Sequence, residues 1–297
     1  MSTITQIKGF PTIAEKSDIL GEIVSWYLPT GVEVRFSHLR DALEDSGLGG
    51  TTARAFLPRN AFARAVRKLT DKRIIRRVNE DETTLRFQFT REDNEGDRLG
   101  YHMEAILVLD KETGTITCDD SQLEARAKDA FDEAMDRRTS SDITSIIQRL
   151  FSDKSQPDLD LIPIRKQGGA YFVRREALAF VDKIGVFLDR LHGELTRLPI
   201  AAGHGSGERV VSISVAERIT GLLDDLDATV DGFDPNPVRQ TPQNQKAAAE
   251  RIKLIRFKIA SYADYLADEK ARLEESLSAA VCRIQCKFAG VAESDQQ

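Results

Sequence analysis

Nine basic residues fall between Arg54 and Arg77, namely Arg54, Arg59, Arg64, Arg67, Lys68, Lys72, Arg73, Arg76 and Arg77, against the single acid Asp71. The whole chain carries a formal net charge of -6, so this run reverses the local sign. A guanidinium can pair bidentately with a phosphate or with the major-groove edge of guanine. A basic helix followed by a basic strand is therefore the electrostatic footprint of a nucleic-acid-binding surface. The candidate contact residues are Arg59, Arg64, Arg67, Lys68, Arg73, Arg76 and Arg77. Two plainer readings stand beside this one. The run can be a solvated helix face with a charged strand edge that discourages edge-to-edge pairing, or a dock for an acidic protein surface.

No other residues make a comparable case for chemistry. His38, His102, His192 and His204 are scattered, without acids or thiols at ligand spacing. Cys282 and Cys286 lie four apart, which puts both thiols on one helical face without a second ligand pair, and predicts a buried structural role. The loop Gly203 to Gly207 precedes a helical pattern and could offer free amides to an anion, but it lacks the lysine of a phosphate-binding loop and reads as an interhelical turn. Asp119 with Asp120 and Asp224 with Asp225 are consecutive carboxylates that point to different faces and read as solvated. No nucleophile, base and oxyanion arrangement can be assembled, so no catalytic residue, metal ligand or cofactor is nominated and an enzyme is not expected.

The elements that would position the basic run follow from periodicity. Ser17 before Ile19, Ile23, Val24 and Tyr27 predicts a first helix, ended by Pro29 and Gly31. Val32 to Phe36 alternate as a short strand, and Ser37 would cap a second helix stopped by Gly47, Gly49 and Gly50. Asn60 would cap a third helix, whose Phe62, Val66 and Leu69 form an apolar stripe. Ile74 to Val78, a polar turn, and Leu85 to Phe89 predict a hairpin, and Tyr101 to Leu109 with Thr115 to Thr117 add two further strands.

The order helix, strand, helix, helix, hairpin resembles that of the winged helix-turn-helix superfamily, on the residues AFARAVRKLTDKRIIRRV from Ala61 to Val78 and the polar tip that follows. The resemblance covers about a quarter of the chain. It implies a recognition helix over residues 60 to 70 near the major groove, with Arg64, Arg67 and Lys68 on DNA and Arg73, Arg76 and Arg77 on phosphates. The turn between the second and third helices is longer than usual, and the tip NEDE is acidic and would repel a phosphate backbone. Winged helices also serve as protein-interaction modules, and fold alone does not choose between the two uses.

Beyond residue 120 the pattern is mainly helical. Helices are predicted around Leu123 to Ala134, Ile143 to Phe151, Leu178 to Leu191 and Val215 to Val230, with a small hairpin formed by Ile162, Ile164 and Ala170 to Val173. The GGAYFV segment with the helix after it resembles a group of uncharacterised phage and bacterial proteins, which implies a phage or mobile-element context. A proline-bearing linker is expected from Asp234 to Pro242. The apolar seam Ile252, Ile255, Ile259, Tyr262, Leu266, continued from Leu273 to Phe288, predicts one long helix that folds back as a bundle or pairs with a second subunit.

The expected class is thus α+β, mostly α: a winged-helix-like domain with an extended antiparallel sheet over residues 1–119, and a helical domain with a small hairpin and a long C-terminal helix over 120–297. Residues 1 to 91 carry 15 Lys or Arg and 11 Asp or Glu, a balance of +4 that leaves -10 for the rest. The longest purely apolar run, Ala105 to Leu109, is far short of the roughly 20 residues of a membrane helix, and no signal-peptide pattern opens the chain, so a cytoplasmic location without membrane contact is expected. The leading expectation is a non-enzymatic DNA-binding protein whose helical part oligomerises or recruits a protein partner. The alternative is a structural or adaptor subunit without nucleic-acid contact.

Overall fold

Along β-rich and helical stretches alike, the apolar period decides which side of each element is buried. The structure is a computed structural model that describes residues 19–71, 73–95, 98–152, 159–165, 169–203, 205–232, 242–266 and 269–294. The elements begin with β1 (Ile19–Tyr27), β2 (Glu33–Arg35), α1 (Phe36–Asp45), α2 (Pro58–Lys68), β3 (Arg73–Glu80), β4 (Thr84–Glu95), β5 (Arg98–Asp110) and β6 (Ile116–Cys118). They continue with α3 (Ser121–Asp136), β7 (Arg137–Thr139), α4 (Ser140–Phe151), β8 (Ile162–Pro163), β9 (Ala170–Arg174), α5 (Leu178–Arg190) and β10 (Glu194–Ala201). The last four are α6 (Gly205–Asp231), α7 (Pro242–Ser261), α8 (Ala263–Leu266) and α9 (Glu269–Ser294). The class is α+β, with antiparallel sheets and long helices in the C-terminal part.

Two compact units divide the chain discontinuously. One comprises Leu28–Leu150 with Lys183–Gly193, and the other comprises the segment up to Tyr27, Phe151–Asp182 and the chain from Glu194 onward. The single boundary expected after residue 119 therefore gives way to units that the chain enters more than once.

In the unit built on Leu28–Leu150, β3, β4, β5 and β6 form a meander in that order. Strand residues alternate between faces, and one face buries Leu85, Phe89, Ala105, Leu107, Leu109 and Ile116. Onto it pack Ala61, Phe62, Ala65 and Val66 of α2 and Leu123, Ala127, Phe131 and Ala134 of α3. α1 ends in a left-handed glycine, Gly47 at φ 67, with Gly47 N–H on Glu44 O and Leu48 N–H on Leu43 O. That is a Schellman closure, which explains why the glycines stop this helix. Ser37 does not cap it; the extended residue Arg35 precedes it without a side-chain cap. Likewise Asn60 lies inside α2, which starts at Pro58, because proline lacks the amide that a first-turn residue leaves unpaired anyway.

In the other unit, the helix predicted from Ser17 to Tyr27 is a strand: β1 pairs antiparallel with both β9 and β10, giving a sheet of order β10-β1-β9-β8. A central strand covered on both faces carries apolar residues without strict alternation, so ILGEIVSWY could not be told from a helix by period alone. The element order before the meander is consequently strand, strand, helix, helix. β2 pairs with β7. β10 is a strand with no counterpart among the expectations. The small hairpin β8–β9 forms as predicted.

The predicted long C-terminal helix is three helices, α7, α8 and α9, and the seam folds back on α6 within the same unit. Ile255, Ile259, Tyr262 and Leu266, then Leu273, Leu277, Ala280 and Ile284, line a shared core with Val215, Ile219, Leu223 and Leu226. The expected linker Asp234 to Pro242 lies outside the described residues except for Pro242. Polar pins tie the helices to the sheet: Lys258 Nζ meets Asp160 at 2.5 Å, Tyr265 OH donates to Leu20 O at 2.9 Å, and Arg174 donates to Ser261 O at 3.1 Å. Burial, helped by the neighbouring Asp160 carboxylate, pushes the Tyr262 phenol well above its usual range, and burial pushes Tyr265 up to about 12.

Gly21 is the tightest point of this sheet, since a Cβ there would sit 2.2 Å from Val173 O on β9. The strands would have to separate to admit it. Gly21→Ala is expected to cost about 3 kcal/mol through overpacking against backbone, read as a lower urea midpoint at unchanged slope.

Candidate nucleic-acid interface

The helix expected to read DNA is held down on two sides. Leu69 and the buried stripe Ala61, Phe62, Ala65 and Val66 face the sheet and α3, and Phe62 meets Phe87 edge-on at 5.7 Å between centroids. The basic side chains around this stripe turn toward acids of the same chain. Arg64 forms a two-pronged pair with Asp142 on α4, at 2.7 and 2.8 Å. Lys68 reaches Glu133 on α3 at 2.9 Å and Glu33 on β2 at 3.6 Å. Arg73 pairs with Glu104 and lies 3.9 Å from Asp71. Arg77 pairs with Glu80, which also meets Arg59 and Lys111, each at 2.9 Å.

The acidic tip has structural work of its own. Glu80 neutralises three cations, and its carboxyl is held below the usual range first by the Lys111 hydrogen bond and then by Arg59 and Arg77. Asp81 accepts the backbone amides of Thr83 and Thr84 and the hydroxyls of both, closing the turn and holding its own carboxyl far below the ordinary value. Both acids thus serve the hairpin.

Arg67 and Arg76 make no ion pair among the described residues, and Lys72 lies outside them. The two are not neighbours in function: Arg67 ends α2, while Arg76 faces Gln88 across the ladder. Arg77, one residue on, faces Phe87, so Arg76 and Arg77 point to opposite faces of the sheet. Five of the seven candidates are therefore divided among four separate sets of acids, and Arg67 and Arg76 lie apart from each other on α2 and β3.

The side chains that organise this region lie outside the basic run. Arg138, on β7, is 2 % exposed and lies 3.8 Å from the Phe56 ring centroid and 4.6 Å from that of Phe36. Arg64 lies 4.5 Å from the same Phe56 ring. Burial pushes the Arg138 guanidinium down, and its Nη1 donates to Met135 O and Arg137 O. Asp142 answers with three roles at once: it pairs with Arg64 and accepts both the amide and the hydroxyl of Thr139, capping α4. Its partners are 78 residues away for Arg64 and three for Thr139, and only the second spacing is visible in a sequence.

The remaining candidates are also accounted for. His192 sits at φ 56 just after α5, in the turn where Gly193 N–H closes on Leu188 O. His38 Nε2 lies 3.4 Å from Arg190 O. Asp119 and Asp120 are exposed, as expected; Asp120 also caps α3 by accepting the amides of Gln122 and Leu123, and Asp119 accepts the amide of Ile106. Cys282 and Cys286, expected to be buried, are exposed on α9. Gly205 to Gly207 form the first turn of α6, and His204 lies outside the described residues. Among the described residues no group of three or more His, Cys, Asp or Glu could hold a metal ion. A cavity of about 600 Å3 in the helical unit is lined by both signs of charge, including Arg165, Arg218, Glu217 and Asp224.

Asp142 gives this region a defined acid response. Burial raises its pKa, but the Arg64 pair and the Thr139 bonds outweigh burial and leave it depressed. The stabilisation is then complete above the unfolded-state value near 4 and is lost as pH falls through the lower folded value. Asp142→Ala is expected to cost about 2 kcal/mol at pH 7. Asp142→Asn should flatten the fall of the urea midpoint below about pH 4.

No curated protein and no solved structure matches the chain. One family does, the "Family of unknown function (DUF6744)", over residues 19–293. That span takes in every element from β1 to the last turns of α9, so the chain belongs to this family.

Proposed function

We propose that the protein is a structural or adaptor subunit that works by docking other proteins, and that it does not bind DNA through α2. The observation that carries this reading is the internal pairing of Arg59, Arg64, Lys68, Arg73 and Arg77 with Glu80, Asp142, Glu133 and Glu104. Double-stranded DNA is held by neutralising phosphates, typically about 6–10 of them. Two separated arginines, Arg67 and Arg76, fall short of that number, and freeing the other five would break the contacts that seat α2 and β3. No helix among the described residues is long and apolar enough to cross a membrane.

The test is fluorescence anisotropy of a labelled mixed-sequence duplex titrated with the full chain. With Arg67 and Arg76 alone of the seven candidates making no ion pair among the described residues, binding through these seven should weaken only about tenfold between 50 and 200 mM salt. Arg64→Ala should lower thermal stability while leaving that residual signal unchanged. A loss of about a thousandfold over the same salt interval, abolished by Arg64→Ala with Arg67→Ala, would restore the DNA-binding reading. Purification after nuclease treatment should retain a stoichiometric protein partner.

A further inference from the structure

The meander has a second face. Its buried side carries Leu85, Phe89, Ala105 and Leu107, and alternation sends the residues between them to the other side. Its three central rows are Ile74, Thr90 and Met103; Arg76, Gln88 and Ile106; and Asn79, Arg86, Val108 and Thr117, flanked on the same face by Thr84 with Asp110 and by Glu92 with Tyr101. The extra residue Glu104 in β5 lets Met103 share the face with Ile106, because the register slips there by one. Met103 is 60 % exposed, Arg76 and Arg86 are exposed, and Ile74, Ile106 and Val108 are half-buried.

The charge on this face differs from that of the rest of the unit. On the opposite side, Arg59, Arg64, Lys68, Arg73 and Arg77 each have a carboxylate. On this side the three rows contain no carboxylate, and Arg76 and Arg86 make no ion pair among the described residues. Acids border the three rows: Asp110, opposite Thr84 in the next row, is engaged by the Glu112 and Thr113 amides, and Asp119, after β6, by the Ile106 amide. Arg76 faces Gln88, and Arg86 lies two residues from Gln88 on the same strand, so the two guanidiniums are diagonal neighbours and repel each other.

We propose that this sheet face is a docking surface for an acidic protein segment that interleaves carboxylates with aliphatic or aromatic side chains. The carboxylates would take Arg76 and Arg86 as charge-assisted, two-pronged partners, and the apolar side chains would cover Ile74, Met103, Ile106 and Val108. A single strand of nucleic acid fits less well, since base binding relies on successive aromatic platforms and the three central rows contain none, the exposed Tyr101 of the flanking row being a single ring. The inference rests on the docking reading above and names its surface and the chemistry of its partner.

The experiment pans a random dodecapeptide display library against the full-length protein, then measures the enriched sequences as labelled synthetic peptides by anisotropy. Enrichment of net-negative sequences rich in Leu, Ile, Val, Phe or Met is expected, with affinity at least tenfold weaker for Arg76→Glu with Arg86→Glu. An unchanged melting temperature confirms that this variant folds. Peptides without acidic bias, no enrichment, or affinity unaffected by the double variant would overturn the proposed surface while leaving a docking role intact. Self-association of the full chain abolished by the same variant would assign the face to a second copy and overturn the acidic partner. Binding of a labelled oligothymidine, lost in the variant, would overturn both the partner and the docking reading.

Discussion

The Asp142 carboxylate is the constraint on which the Leu28–Leu150 unit turns. A short polar side chain at the start of α4 binds Arg64 of α2 in two-pronged fashion and closes the N-terminus of its own helix through Thr139. Arg64 and Arg138 share the Phe56 ring, so the loop before α2, the strand β7 and two helices meet at one aromatic side chain. Burying cations in this way is tolerable only when each finds a carboxylate, a carbonyl or a ring face. Once they are committed, the sign of charge in the sequence no longer describes the sign of charge offered to a partner.

The same economy shapes the helical unit. Asp160, Lys258, Tyr262 and Arg174 form a polar layer where α7 meets the sheet, and Tyr265 reaches the carbonyl of Leu20 from the far end of the chain. Sheet and helices are joined by segments remote in sequence: Glu22 of β1 pairs with Arg197 of β10, 175 residues away. Such a topology has high contact order, and loop-closure entropy must be met before these contacts stabilise anything. Gly21, pressed beneath Phe172 and the Val173 carbonyl, marks how closely the central strands then pack.

Functional interpretation shifts accordingly from the helix to the surfaces that stay uncommitted. The density of arginine in the run came from structural demand on one side of the meander and from exposure on the other. The central rows of the open sheet face, largely aliphatic with two guanidiniums that make no ion pair among the described residues, differ from the paired side in the one respect that matters for recognition.

The sequence by itself determined the local elements whose apolar period is unambiguous: α2, α3, α4, α5 and α6, the β3–β6 meander, the β8–β9 hairpin and the glycine stop after α1. It also disclosed the seam that packs α7 and α9 on α6, because three-and-four spacing reports burial directly. Tertiary structure decided the rest. β1 became a strand because β9 and β10 offer it edges on both sides, and a short apolar run without strict alternation cannot be told from a helix by period. The basic residues lost their availability because their counterions sit from three to 78 residues away, and only folding brings Asp142, Glu133 and Glu104 to them. Charge is a property of composition, but whether a charge is free is a property of its neighbours.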